Sequence, residues 1–205
     1  MIESGNFKEV YSYIQAVTET IKDGQVYRKP AGLALSVSEI EVGFHDSITS
    51  PTLTKATDSA ITWSSSDEEV VTVTNNGELA IVGIGEAVVT ASAEETPAYE
   101  AGSVSCSVTI GKSDPSLELT AEAESVAAGS DLATSLSKHQ YFTGAVTYAS
   151  SNEEIATVSD AGVISGVAAG TVTISVASEA TTDWIAGSDT LEITVTAAQT
   201  EEEAQ

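Results

Sequence analysis

Adding 85 to a residue number in the middle of this chain returns a residue of the same kind. AITWSSSDEEVVTVTNNG, from Ala60, lies over AVTYASSNEEIATVSDAG, from Ala145, without a gap. Trp63 falls on Tyr148, Ser65-Ser66 on Ser150-Ser151, Glu68-Glu69 on Glu153-Glu154, Thr72-Val73 on Thr157-Val158, and Gly77 on Gly162. The match continues through Gly85 over Gly170, Tyr99 over Trp184, and Ala101-Gly102-Ser103 over Ala186-Gly187-Ser188, and it closes with Val108-Thr109-Ile110 over Ile193-Thr194-Val195. Upstream, Leu33 and Leu35 match Leu117 and Leu119 at an offset of 84, which places a one-residue length change in the first half of the repeat. A period this long is a whole domain and not a solenoid unit, and 205 residues hold two of them.

Within each copy the apolar residues alternate with polar ones. Val104, Cys106, Val108 and Ile110 share one parity against Ser103, Ser105, Ser107 and Thr109, and Val172, Ile174 and Val176 alternate with Thr171, Thr173 and Ser175. Period two is the mark of a strand with one buried face. In the first strand Leu33, Leu35 and Val37 share a parity that Ile40 and Val42 do not, so a bulge or a crossing between sheets is expected near Ser38-Glu39. Asn76-Gly77 and Ala161-Gly162 stand between apolar runs, where glycine supplies the positive φ of a tight hairpin. An apolar fraction of 41% made mostly of Val, Ile, Leu and Ala, with 5% aromatics, suits such thin strands. The single cysteine, Cys106, forms no intramolecular disulfide, so the cores must hold by packing. The expected fold class is therefore all-β: two tandem immunoglobulin-like Greek-key β-sandwiches. Their expected core positions include Trp63, Val73 and Val89 in the first copy and Tyr148, Val158 and Ile174 in the second.

At these residues the chain resembles the bacterial Ig-like domain family, group 2. That family carries an aromatic residue, Ser-Ser-Asp/Asn, a short spacer, Ala/Val-Thr-Val, a glycine, and a second glycine before a Thr/Val-rich strand. Here these are Trp63, Ser65-Ser66-Asp67, Val71-Thr72-Val73, Gly77 and Gly85, and again Tyr148, Ser150-Ser151-Asn152, Ala156-Thr157-Val158, Gly162 and Gly170-Thr171. The resemblance covers roughly residues 33–196. It implies a spacer or adhesive module of the kind found in bacterial surface proteins and tailed-phage virion proteins, and it brings no catalytic residues with it.

Residues 6–23 follow another rhythm. Phe7, Val10, Tyr11, Ile14, Val17 and Ile21 recur at helical spacing, Asn6 and Glu9 make a capping pair, and Gly24 reads as a stop. A lone amphipathic helix cannot bury its stripe, so it is expected either to pack on the first sandwich or to make an assembly contact. The expected division is a helical anchor and connector over 1–30, Ig-like domains over 31–111 and 116–197, a linker over 112–115, and an acidic tail over 198–205.

Charge narrows the function classes. Seven basic and 31 acidic residues give a net charge of −24, yet residues 1–30 carry four of each sign, so the entire excess lies beyond them. Nucleic acid is not an expected partner, because each phosphate contact would add repulsion. The first residues lack a basic start and an unbroken apolar run, so neither an export leader nor a membrane span is expected. His45 and His139 have no ligand-spaced partners, and Cys106 lies on the inward parity, so no catalytic, cofactor or metal residues are expected. The acidic runs Ser66-Asp67-Glu68-Glu69 and Ser151-Asn152-Glu153-Glu154 are read as solvated loops, with calcium the sharper alternative. Tyr99 and Trp184 share one loop position and are read either as caps on the core ends or as platforms for a sugar ring. The expected function is a non-enzymatic virion structural protein, a capsid auxiliary or decoration protein. Its expected partners are a protein assembly or itself, with weak cell-surface glycans besides. The alternative is a bacterial cell-surface adhesion or pilus-type module.

Overall fold

The computed structural model describes residues 28–198 in full, together with the backbone of residues 21–22 and 25–26. All regular structure among the described residues is β. The chain divides into two compact units at Gly111/Lys112.

Short strands β1 (Ile21–Lys22) and β2 (Gln25–Val26) pair antiparallel. The helix expected over 6–23 is therefore corrected at its end, where Ile21 sits on a strand; its other apolar positions, Phe7, Val10, Tyr11, Ile14 and Val17, lie outside the described residues. The intervening sequence Asp23-Gly24 is a strong two-residue hairpin signal, and it outweighs a helical spacing that has only one apolar member at that point.

In the first unit, β3 (Ala34–Leu35) pairs with β5 (Leu53–Thr54), while β4 (Glu39–Gly43) runs parallel to β10 (Gly102–Gly111) in another sheet. The parity change between Leu35 and Ile40 is thus a crossing from sheet to sheet. Beyond β10 come β9 (Gly85–Ala93) and β6 (Ile61–Ser65), both antiparallel, which gives the order β4-β10-β9-β6. β7 (Val71–Val73) and β8 (Leu79–Ile81) form a hairpin, closed by the turn at Gly77.

The second unit repeats this plan. β11 (Glu118–Ala121) pairs with β14 (Thr134–Ser137), and β12 (Ser125–Ala127) runs parallel to β19 (Gly187–Thr196). β18 (Gly170–Ser178) and β15 (Thr147–Ser150) complete the order β12-β19-β18-β15. The hairpin of β16 (Ala156–Val158) and β17 (Ile164–Gly166) gains an extra edge strand, β13 (Asp131–Leu132).

Each unit has its own core. Val70, Val71, Leu79, Val89, Cys106, Val108 and Ile110 form the first, with Trp63 and Val73 packed at its margin. Val126, Ala156, Ile164, Ile174, Val176, Ile193 and Val195 form the second, with Tyr148 and Val158 at the margin. Fully burying one Val or Ile side chain contributes about 1.5–3 kcal/mol, and each core gains this from its own set of buried Val and Ile residues, with no disulfide.

Residues 112–115, expected as a linker, are fastened into the second unit. The Ser113 N–H donates to the Asp183 carbonyl (2.9 Å), the Ile185 N–H donates to the Ser113 carbonyl (3.0 Å), and both Ser113 and Pro115 are fully buried. The first unit does the same at its entry, where Lys29 bridges to Tyr99 as Ser113 bridges to Trp184.

Candidate functional site

The Ser-Ser-Asp/Asn motif folds as one turn in both units. The Glu69 N–H donates to Asp67 Oδ1 (2.9 Å) and the Glu154 N–H to Asn152 Oδ1 (3.0 Å). The backbone carbonyls of Asp67 and Asn152 accept the amides of residues 70–71 and 155–156. The second serine is a clamp across strands: Val88 N–H donates to Ser66 Oγ (2.8 Å) and Thr173 N–H to Ser151 Oγ (3.0 Å), while each serine's own amide donates back to the facing carbonyl. The side-chain oxygens of Asp67, Asn152, Ser66 and Ser151 thus accept local amides, which is the ordinary use of Ser and Asx in turns. Among the described residues, no group of three or more His, Cys, Asp or Glu side chains gathers where a metal ion could sit.

The recurring glycines have a packing role. Gly77 (φ +83°) lies under the six-membered ring of Trp63, where a Cβ would stand 2.6 Å from Cζ2. Gly162 (φ +80°) lies under Tyr148 in the same way, with Thr134 Oγ1 donating to its carbonyl at 2.8 Å. Aromatic and glycine therefore form one structural pair separated by fourteen positions in sequence.

Trp184 is 6% exposed, with Phe142 packed edge-on at 5.2 Å and His139 at 5.1 Å, so it presents little face to a ligand. Tyr99 is half-buried and bridges by its backbone to Lys29. His139 Nδ1 accepts the Tyr141 amide (3.3 Å), and His45 packs against Phe44. Cys106 is fully buried; burial, and secondarily the Glu39 carboxylate, push its thiol above the ordinary value. No helix among the described residues is long and apolar enough to cross a membrane.

Sequence reasoning missed one feature. A groove of about 460 Å³ opens beside Trp63 in the first unit, lined by residues 50–53, Lys55, Ile61, Trp63 and residues 76–78. A comparison of the two repeats held the signal for it: Asn76 and Glu78 face Ala161 and Val163 in the alignment, whereas the framework around them recurs.

These features define the class as an immunoglobulin-like β-sandwich built without a disulfide. Residues 103–187 match the family model of the bacterial Ig-like domain (group 2). That stretch runs from the last strand of the first unit to the start of the last strand of the second, and so contains the second motif copy. No curated protein matches the chain. Among solved structures it is similar to surface layer protein SbsC, domains 1–6, at 23% identity, covering 85% of this chain and 28% of that one with a TM-score of 0.37. It is also similar to SbsC domains 4 and 5, at 22% identity, covering 88% and 96% with a TM-score of 0.35. A third is a SusE-like surface-located polysaccharide binding protein from Bacteroides thetaiotaomicron, at 11% identity, covering 82% and 34% with a TM-score of 0.31. The chain spans less than a third of the length of the first of these.

Proposed function

We propose that both units are copies of the bacterial Ig-like domain, and that the chain is a non-enzymatic structural protein that displays them on the outside of a virion as a capsid auxiliary or decoration protein. One observation carries this: the repeated motif is spent on folding. Its serines and Asp67 or Asn152 hydrogen-bond backbone amides, and its hairpin glycines lie under aromatic rings, which is a structural use for these recurring residues. The shared strand order and the matching turns at Gly77 and Gly162 support counting two copies.

Charge supports an outward position. The net −24 beyond residue 30 keeps displayed units solvated and mutually repelling, and disfavours nucleic acid, whereas the neutral first thirty residues suit a protein contact. The partner is then the particle itself or a second copy, with no cofactor and no membrane. A second reading, a bacterial cell-surface adhesion or pilus-type module, is favoured by the bacterial character of the family matched at residues 103–187.

Mass spectrometry of purified phage particles beside washed cell envelopes from the same culture separates the two. Many copies per particle support decoration, enrichment in envelopes supports the second reading, and recovery only from the soluble cell interior overturns both. Lys29 bridges to Tyr99 and Arg28 pairs with Glu95 in the first unit, so a deletion that tests the anchor stops at residue 27. It should leave folded sandwiches that no longer associate with the particle; undiminished association would refute the anchor.

A further inference from the structure

The groove beside Trp63 joins residues that recur in the second unit to residues that do not. Its floor is framework: Trp63 rests on Gly77, and Tyr148 rests on Gly162 in the second unit in the same way. Its rim is not. Asn76 and Glu78 stand on the hairpin turn and are exposed, where the second unit carries Ala161 and Val163. The turn fixes their backbone, because Thr74 Oγ1 accepts the amides of both Asn76 (3.3 Å) and Glu78 (3.1 Å). From the other side Lys55, whose ammonium donates to the Ser59 carbonyl (2.7 Å), completes the lining.

We propose that this groove binds an uncharged pyranose oligosaccharide. The chemistry of the lining selects that class. An indole surface matches the C–H face of a pyranose ring, while an amide, a carboxylate and an ammonium around it offer both donors and acceptors to ring hydroxyls. A volume of about 460 Å³ suits one or two sugar rings and lies within the ordinary range of small-ligand sites. Anionic glycans are disfavoured by the carboxylate of Glu78 on the rim and by the net −24 of the chain. The site belongs to the first unit and does not depend on which assembly displays it.

The repeat supplies substitutions the fold already tolerates. Asn76→Ala with Glu78→Val, and separately Trp63→Tyr, install what the second unit has at the same positions. The full chain would be titrated with trisaccharides of glucose, xylose and N-acetylglucosamine, and with a sulfated glycosaminoglycan fragment, while amide chemical shifts are recorded by NMR. At least one uncharged trisaccharide should shift residues 52–55 and 76–78, and the Asn76→Ala/Glu78→Val protein should bind it at least tenfold more weakly with an unchanged thermal midpoint. Absence of binding by the native chain to every uncharged trisaccharide would overturn the proposal. So would preference for the sulfated fragment, or affinity that survives the double substitution.

Discussion

Gly162 and Gly129 lie in the same unit with nearly the same backbone conformation, φ +80° and +82°, but in opposite surroundings. A Cβ on Gly129 meets nothing within 4 Å, whereas one on Gly162 would stand 2.7 Å from Thr134 Oγ1 and 3.0 Å from Tyr148 Cζ. Gly129→Ala therefore carries the backbone cost alone. Left-handed conformation costs an alanine about 1–2 kcal/mol, partly offset by about 0.4–1 kcal/mol from a less flexible unfolded chain, leaving roughly 1 kcal/mol. Gly162→Ala carries that cost and two more. The Thr134 hydroxyl loses its 2.8 Å bond to the Gly162 carbonyl, worth about 1 kcal/mol, and Tyr148 must shift against the core, an overpacking cost of about 1–3 kcal/mol. The difference between the two variants should thus be about 2–4 kcal/mol. Trp63→Tyr makes Trp184 the sole tryptophan, so fluorescence during urea unfolding then reports the second unit alone. With a slope near 1–2 kcal/mol/M, the Gly162→Ala midpoint should fall below that of Gly129→Ala by roughly 1–4 M. Midpoints that agree within about 0.3 M would refute the pairing of aromatic and turn glycine as the basis of the motif.

Three further outcomes are expected. Ser116 holds φ 50° where the first unit has Gly32 at φ 62°, so Ser116→Gly should stabilise the second unit by about 0.5–1 kcal/mol in the same assay. The Cys106 thiol is raised by burial, so the folded state holds its proton after the unfolded state has released it; stability should fall as pH rises above the ordinary thiol value, by up to about 1.4 kcal/mol per pH unit, and Cys106→Leu, the residue found at position 191, should remove that slope in melts between pH 7 and 10. Asp67→Asn keeps the oxygen that Glu69 N–H needs, as Asn152 shows, so the melting temperature should change little, and millimolar calcium should shift neither protein.

The repeat, the strand faces and the sheet crossing were legible because each leaves a local mark. Ser105 and Ser107 face out while Cys106 and Val108 are buried, as their alternation requires, and the parity break after Val37 marks the passage from β3 to β4. What stayed hidden depends on partners distant in sequence. Ser113 reads as part of a polar linker, and only Asp183 and Ile185, some seventy positions on, make it a buried strand bridge. Phe142 has no counterpart in the first copy, so nothing in the pattern announced its contact with Trp184. The hairpin at Ile21–Val26 was lost to a helical spacing that Ile21 happened to satisfy. Trp63 was legible as core, but the groove beside it required knowing which residues stand on the facing turn.

The parallel pairing of β4 with β10, and of β12 with β19, has a mechanical consequence. In each unit an early strand and the last strand lie side by side and point the same way, so tension applied at the two ends draws them apart along their own axes. Their hydrogen bonds are then loaded together in shear and do not peel open one at a time. Five residue pairs join the strands in the first unit and three in the second. Under a rising force the second unit should therefore yield first, extending the chain while the first still holds.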